Sequence, residues 1–370
     1  MELTSYLKEM QGLGASDIFV TVGFPVSAKV NGQMTPIGGS NLSEEDALAL
    51  VHEAMTDKQK VEFEETKECN FAIARDEIGR FRCSAFWQRD MAGMVVRRIV
   101  TQIPQVSELG LPEILKDVIM SKRGLLLFVG ATGTGKSTSL AALIGHRNQN
   151  SKGHILTIED PIEFVHEHAN CVVTQREVGI DTKSFDDALK SSLRQAPDVI
   201  MIGEIRSMET MEYAMSFADT GHLCVATLHA NNANQAIERI MHLAPYEQHE
   251  KLRFDLSLNM RAIIAQQLVP TPDGKGRVAA IEILLNSPLV SDLIQRNEMS
   301  GLKEAMKKGK EMGMQSFDMA LYDLYKAGRI TLDHAIHHAD SPNDLRLMIK
   351  LDSDEGNQLG SLSNVSIDMN

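Results

Sequence analysis

The residues best suited to chemistry form one run, Gly130-Ala131-Thr132-Gly133-Thr134-Gly135-Lys136-Ser137, followed by Thr138. It has the pattern G-x-x-x-x-G-K-S/T. Glycines at these places let backbone N–H groups turn inward around phosphate oxygens, and a helix starting at the loop adds partial positive charge. Lys136 has the reach for the β- and γ-phosphates of a nucleotide, and the Ser137 hydroxyl is a ligand for Mg²⁺. Phosphoryl transfer to water needs three further parts: a metal, a group that positions the water, and positive charge at the γ-phosphate.

Candidates for those parts follow short apolar runs. Glu159-Asp160-Pro161-Ile162-Glu163 places three acids in five residues. Crowded carboxylates raise one another's pKa, which suits a general base. Glu163 is the candidate to activate water, with Glu159 as support for a metal shell; the alternative is a solvated acidic turn. Glu204 closes Val199-Ile200-Met201-Ile202-Gly203-Glu204, a Walker-B-like strand with Glu where Asp is commoner. Its longer carboxylate is expected to reach Mg²⁺ through a water. His229 ends the run 223–227 and is a candidate γ-phosphate sensor. His222 stands at the other end of that run, ~20 Å away at strand rise, so the two histidines cannot share a metal within one strand. His166 with His168, and His334, His337 and His338, have the spacing of solvated surface groups. Arg80, Arg82, Arg89, Arg97 and Arg98 crowd residues 1–100, and Arg194 and Arg206 flank the Walker-B run. A site completed by another domain or subunit explains them. A nucleic-acid groove competes, because Phe86 and Trp87 lie among the arginines.

From Gly124 onward, short apolar runs at 125–129, 154–158, 199–202 and 223–227 alternate with helical patterns, as a parallel α/β sheet requires. Each run ends in one of the polar clusters above, and ligands of open α/β sheets bind at the carboxyl ends of the strands. Residues 1–100 instead mix a helix (2–12) and strands (17–22, 27–30, 69–74, 79–86, 94–99) without βαβ order, the pattern of a small α+β domain. Asn31-Gly32 marks a hairpin turn, and Ser43 with Asp46 marks a helix start. Residues 101–117 read as a linker and 118–350 as the nucleotide-binding domain. Past 245 the chain reads as mainly helical, with a hairpin near Pro270, a strand at 277–284 and helices at 299–324 and 333–351. Residues 351–370 read as an acidic, disordered tail.

The chain of 370 residues is 43% hydrophobic, with Lys+Arg 37 against Asp+Glu 50, a net charge of −13. That balance argues against nucleic acid as the main partner. Cys69, Cys83, Cys171 and Cys224 form no C-x-x-C pair, which fits a reducing compartment and gives no zinc signature. The N-terminus lacks a signal-peptide pattern, and no run approaches eighteen apolar residues. The expectation is a cytoplasmic protein with no direct membrane insertion.

Thr157-Ile158-Glu159-Asp160-Pro161-Ile162-Glu163-Phe164-Val165-His166, Gln175-Arg176-Glu177-Val178-Gly179 and Thr220-Gly221-His222-Leu223 through Thr227-Leu228-His229 resemble the motifs of the secretion-ATPase superfamily. Within it they resemble the type IV pilus retraction ATPases, the PilT/PilU group. The likeness runs from Ala15-Ser16-Asp17 to Met312-Gly313-Met314-Gln315. It implies an α/β chain with an N-terminal PAS-like α+β domain, followed by a RecA-like P-loop ATPase domain with a helical C-terminal part. It implies homo-hexamers that bind ATP and Mg²⁺ between the two domains. It implies roles for Glu159, Asp160, Glu163, Glu204, His222 and His229, and nucleotide contacts for Arg82 and Arg97. The partners it implies are a paralogous PilT-type ATPase and the inner-membrane platform protein at the pilus base.

Extension and secretion ATPases resemble this chain but carry a further N-terminal domain and often a tetracysteine insert. Ser207 where the PilT pattern has Asp, Ser287-Pro288-Leu289-Val290 where it has Ala-Ile-Arg, Arg89-Asp90 for Asn-Arg, and the acidic tail all point to the PilU-like branch. The leading expectation is a motor that drives or assists pilus retraction in twitching motility. The alternatives are an accessory ring acting only with a paralogue, an extension or type II secretion ATPase, and a nucleic-acid translocase.

Overall fold

The computed structural model describes residues 2–30, 32–75, 78–99 and 102–362. It divides into two compact units: residues 1–103 with 159–167 and 175–188, and residues 104–158 with 168–174 and 189–370.

The first unit begins with α1 (Leu3–Gly12), β1 (Asp17–Val20), β2 (Ser27–Val30) and β3 (Gln33–Pro36). Then come α2 (Glu44–Ala54), α3 (Asp57–Thr66), β4 (Glu68–Arg75), β5 (Gly79–Gln88) and β6 (Met91–Arg98). Short polar residues start α2 and α3. The Ser43 side chain accepts the Asp46 N–H, and Thr56 with Gln59 forms a capping box. The strands form an antiparallel sheet in the order β3-β2-β1-β6-β5-β4. Alternation sends Phe81, Cys83, Ala85, Met94 and Val96 into the core with Leu3, Leu7, Leu50 and Val51. The same alternation puts Arg82 and Arg97 on the opposite face, directly across from each other. Val30 pairs with Gln33, as a two-residue hairpin needs; Asn31 lies outside the described residues.

The second stretch of chain begins with α4 (Ile114–Ile119), β7 (Gly124–Val129), α5 (Lys136–Asn150), β8 (Gly153–Glu159) and β9 (Cys171–Glu177). It continues with α6 (Phe185–Ser192), β10 (Val199–Ile202), α7 (Met208–Asp219), β11 (Leu223–Leu228), α8 (Ala233–Leu243) and α9 (His249–Asn259). Last come β12 (Met260–Pro270), β13 (Arg277–Leu285), α10 (Pro288–Gln295), α11 (Leu302–Lys308), α12 (Phe317–Lys326), α13 (Leu332–His338) and α14 (Pro342–Leu362). The sheet order is β13-β12-β7-β11-β10-β8-β9, with β12, β7, β11, β10 and β8 parallel and β13 antiparallel at the edge. Every residue of β7 is buried, as a strand covered on both faces requires. An antiparallel-sheet domain preceding a mainly parallel sheet is the α/β architecture expected.

The C-terminal part of the chain departs from expectation at four places. The helix expected over 299–324 is broken into α11 and α12. Gly313, at φ 90°, ends a short 3₁₀ turn, and the Ser316 side chain accepts the Met319 N–H to start a new helix. The helix expected over 333–351 is likewise two helices: α13 ends where Ala339 turns extended, and Pro342, whose missing N–H costs nothing at a first helical position, opens α14. Before the predicted hairpin stands an eleven-residue strand, β12, rather than helix. Its run Ala262–Ala265 is buried without a break, so it carries no alternation to betray a strand. The expected disordered tail starts inside α14, which extends to Leu362; residues 363–370 lie outside the described residues. All four cysteines are buried thiols.

Candidate nucleotide site

β7 is flanked by β11 and β12 through the pairs Val129↔Leu228 and Val129↔Ala265. That pairing delivers the chain to the carboxyl edge of the sheet, where residues 130–135 turn and α5 begins at Lys136. Gly130 adopts φ 153°, and a Cβ there would lie 2.6 Å from both the Gln266 carbonyl oxygen and Thr134 Oγ1. Only glycine fits. Gln266 Nε2 donates to the Thr134 carbonyl (2.8 Å), and Thr134 Oγ1 donates to the Ala131 carbonyl (2.9 Å). Lys136 Nζ donates to the carbonyls of Gly130 (2.7 Å) and Ala131 (2.9 Å). Carbonyls are neutral acceptors, and a phosphate offers the ammonium a stronger, charged one. Ser137 and Thr138 occupy the first turn of α5, both partly exposed.

Beside the loop, β10 and β11 end in a second group. Gly203 N–H donates to the Ile158 carbonyl (2.7 Å), the Thr227 hydroxyl donates to the Gly203 carbonyl, and Ile205 N–H donates to the Thr227 carbonyl (2.9 Å). These bonds fix Glu204. Its Oε1 is 3.1 Å from His229 Nε2, and its Oε2 accepts from Arg206 Nε at 2.5 Å. A cavity of about 660 Å³ is lined by Ala131 and Thr132 of the loop, His229 and Asn231, and Glu238 and Arg239 of α8. The structure therefore brings His229 to the phosphate loop, with Glu204 paired to it.

Among the described residues no three His, Cys, Asp or Glu are placed to hold a metal by themselves. Mg²⁺ commonly takes one or two protein ligands, with phosphates and waters completing its shell. Ser137 and a water-linked Glu204 fit that mode. Both Glu204 oxygens are already engaged by nitrogen donors, which favours the indirect contact.

His222 is not brought to the loop. Its carbonyl accepts the Gly124 N–H (3.0 Å) and its Nδ1 is 3.1 Å from Thr220 Oγ1, both at the amino edge of the sheet. The six residues of β11 separate it from His229.

The acid turn belongs to the first unit. Glu159 ends β8 and is 8% exposed, whereas Asp160 and Glu163 face solvent. Polar side chains of β9 hold the turn. Gln175 Nε2 donates to Glu159 Oε1 (3.2 Å) and to the Phe164 carbonyl (2.9 Å), and Gln175 Oε1 accepts the His166 N–H (2.7 Å). Glu177 Oε2 accepts the Ile162 N–H (3.2 Å). Burial pushes the Glu177 carboxyl above its ordinary range, although the Ile162 N–H and Arg82 oppose the rise. Arg82 Nε lies 3.9 Å from Glu177 Oε1, and Arg97 Nε donates to Asp17 Oδ1 at 2.8 Å.

Burial lowers the His166 pKa to about 4, so His166 is a neutral, partly buried ring rather than the solvated group expected. His338 likewise is partly buried, with Nδ1 3.1 Å from Gln267 Oε1. Gln266 escaped sequence reasoning, and Glu177 was noticed only as part of a family motif. Their signal is a polar residue at an inward position of a strand.

The chain matches the model of the type II/IV secretion system protein family over residues 2–324. It is 60% identical to the type IV pilus ATPase PilU of Pseudomonas aeruginosa over 364 residues, 98% of this chain and 95% of that protein. It is 40% identical to the type IV pilus retraction ATPase PilT of the same organism, over 93% of this chain and all of PilT. Among solved structures, the pilus retraction motor PilT with bound ADP superposes with a TM-score of 0.86 at 39% identity, covering 94% of this chain and 99% of that one. The chain belongs to the type II/IV secretion system protein family and, within it, to the group of type IV pilus ATPases.

Proposed function

We propose that this chain is an ATP-hydrolysing hexameric motor of the type IV pilus machinery that powers or assists pilus retraction. Lys136 and the loop N–H groups hold the phosphates. Ser137, with Glu204 through a water, would hold Mg²⁺, which would supply positive charge at the phosphates. Glu163, with Glu159 and Asp160 beside it, orients and activates the attacking water. His229 reports the γ-phosphate to Glu204. Arg82 and Arg97 supply positive charge once the domains close around ATP, and that closure is the power stroke. His222, at the far edge of its sheet, serves a contact other than its own loop's phosphate. The ring acts in the cytoplasm against the inner-membrane platform protein at the pilus base, alongside a paralogous PilT-type ATPase.

The observation that carries this reading is His229, the partner of Glu204, lying on the same cavity as the phosphate loop. It joins a phosphate cradle to a charge-sensing group. No helix among the described residues is long and apolar enough to cross a membrane, which suits attachment through a partner.

A second reading, an accessory ring, draws on the greater identity to PilU than to PilT. The departures from the PilT pattern fall on structural positions. Ser207 caps α7, Ser287 caps α10, and Arg89 and Asp90 form a two-residue turn with φ 51° and 60°. None of them is in the phosphate loop.

The test is release of phosphate from ATP by the wild-type chain and by Lys136→Ala and Glu163→Gln. Both substitutions are expected to abolish turnover, Lys136→Ala with loss of nucleotide binding and Glu163→Gln without it. Undiminished turnover in Glu163→Gln overturns its assignment as the base.

A further inference from the structure

Glu177 touches two parts of the machinery in its unit at once. Its Oε2 holds the Ile162 N–H, one residue before Glu163, and its Oε1 lies 3.9 Å from Arg82. Its side chain is 4% exposed. Arg82 and Arg97 face each other directly across β5 and β6, a like-charge pairing that disfavours the sheet unless anions compensate it. Asp17 takes Arg97 at 2.8 Å. Glu177 takes Arg82, at a separation beyond a hydrogen bond, so the attraction is electrostatic and a nearer anion can displace it. Arg80 adds a weaker attraction and Asp181 a repulsion, while the Glu177 N–H is tied to Asp181 Oδ2 at 2.9 Å. A carboxylate this buried is costly without a cation. Removing Arg82 leaves it leaning on the Ile162 N–H, the backbone that carries Glu163.

We propose that Glu177 is a positioning residue that couples Arg82 to the water-activating turn, holding the guanidinium until a nucleotide phosphate takes it. The inference rests on the roles given above to Arg82 and Glu163. Arrival of a phosphate at Arg82 then changes the charge felt by Glu177 and shifts the Ile162–Glu163 backbone bound to it. Phosphate capture and water activation become one event.

The substitution Glu177→Gln keeps an acceptor for the Ile162 N–H and removes the charge that competes for Arg82. The experiment measures fluorescent-ATP affinity and turnover for the full-length wild type, Glu177→Gln, Arg82→Gln and the double variant. Glu177→Gln is expected to tighten nucleotide binding about 2- to 5-fold, the range of a partly exposed ion pair. Turnover falls in the same variant. In the Arg82→Gln background neither quantity changes further. Affinity unchanged or weakened in Glu177→Gln, or equal effects in both backgrounds, overturns the coupling. A merely structural role loosens binding and lowers the melting temperature regardless of Arg82. Because affinity is read apart from turnover, an inactive wild type refutes the motor reading while the binding comparison still decides the coupling.

Discussion

Glu282 gives a pH dependence that can be worked from the structure. It sits on β13, 1% exposed, with Oε1 accepting the N–H of Ala233, the first residue of α8, at 2.8 Å. Its Oε2 is buried and has no well-formed hydrogen bond. Burial, and to a lesser degree Asp340, push its pKa from 4.5 to about 7, against the opposing pull of the Ala233 N–H, Lys303 and, least, the Phe317 N–H. Lys303 is itself bound to Asp340 at 3.0 Å. A carboxyl whose pKa is raised by folding binds its proton more tightly in the native state. The stability it contributes is fully present below pH 4.5 and is lost as the pH rises through 7. The gap corresponds to about 3 kcal/mol, at about 1.4 kcal/mol per tenfold change in proton affinity. Glu282→Gln is neutral at every pH and keeps an acceptor for Ala233. Its stability relative to wild type is therefore expected to rise by about 3 kcal/mol between pH 4.5 and pH 8. At roughly 2 °C per kcal/mol for a unit of this size, the melting-temperature difference widens by about 6 °C. Calorimetry of both proteins at several pH values measures it. A difference that stays constant with pH refutes the reasoning.

Gly130→Ala forces a Cβ to within 2.6 Å of a backbone carbonyl at φ 153°. Strain and overpacking together are expected to cost at least about 2 kcal/mol and to abolish ATP binding by calorimetry; retained affinity and melting temperature contradict this. His229→Ala, which strips Glu204 of a partner, is expected to lower turnover at least about tenfold. His222→Ala is expected to leave the nucleotide dissociation constant within about twofold, since the ring lies at the other edge of the sheet. Loss of affinity in His222→Ala argues against that placement. Arg147 is 7% exposed and donates from Nη1 to the Ile119 (2.6 Å) and Ser121 (2.7 Å) carbonyls. Arg147→Ala leaves buried acceptors unpaired and is expected to cost about 1–3 kcal/mol in chemical unfolding.

What the sequence disclosed follows range of interaction. The β7–loop–α5 unit was legible because strand, glycines and helix are contiguous, and each cluster at 159–163, 204 and 229 directly follows its own strand. The start of α2 was legible because a capping serine acts three residues away. The supports were not legible. Glu177 binds Ile162 across fifteen positions, and Gln266 reaches Thr134 across 132. A polar residue at an inward strand position is a local signal that it is held by something, but the loop it braces is set only by the fold. The partial burial of His166 depends equally on the fold, since its spacing to His168 suits a surface. The breaks at Gly313 and Ser316 were local signals outweighed by the helical pattern on either side.

In the proposed motor, ATP turnover by this chain moves pili. The most direct measurement is pilus retraction in living cells carrying Glu163→Gln in place of the wild-type chain, with the paralogous ATPase present and then absent, set beside ATPase activity of the same variant. Retraction is expected to be impaired together with turnover. Normal retraction by a ring that binds ATP but does not hydrolyse it would contradict the motor and leave the accessory ring in its place.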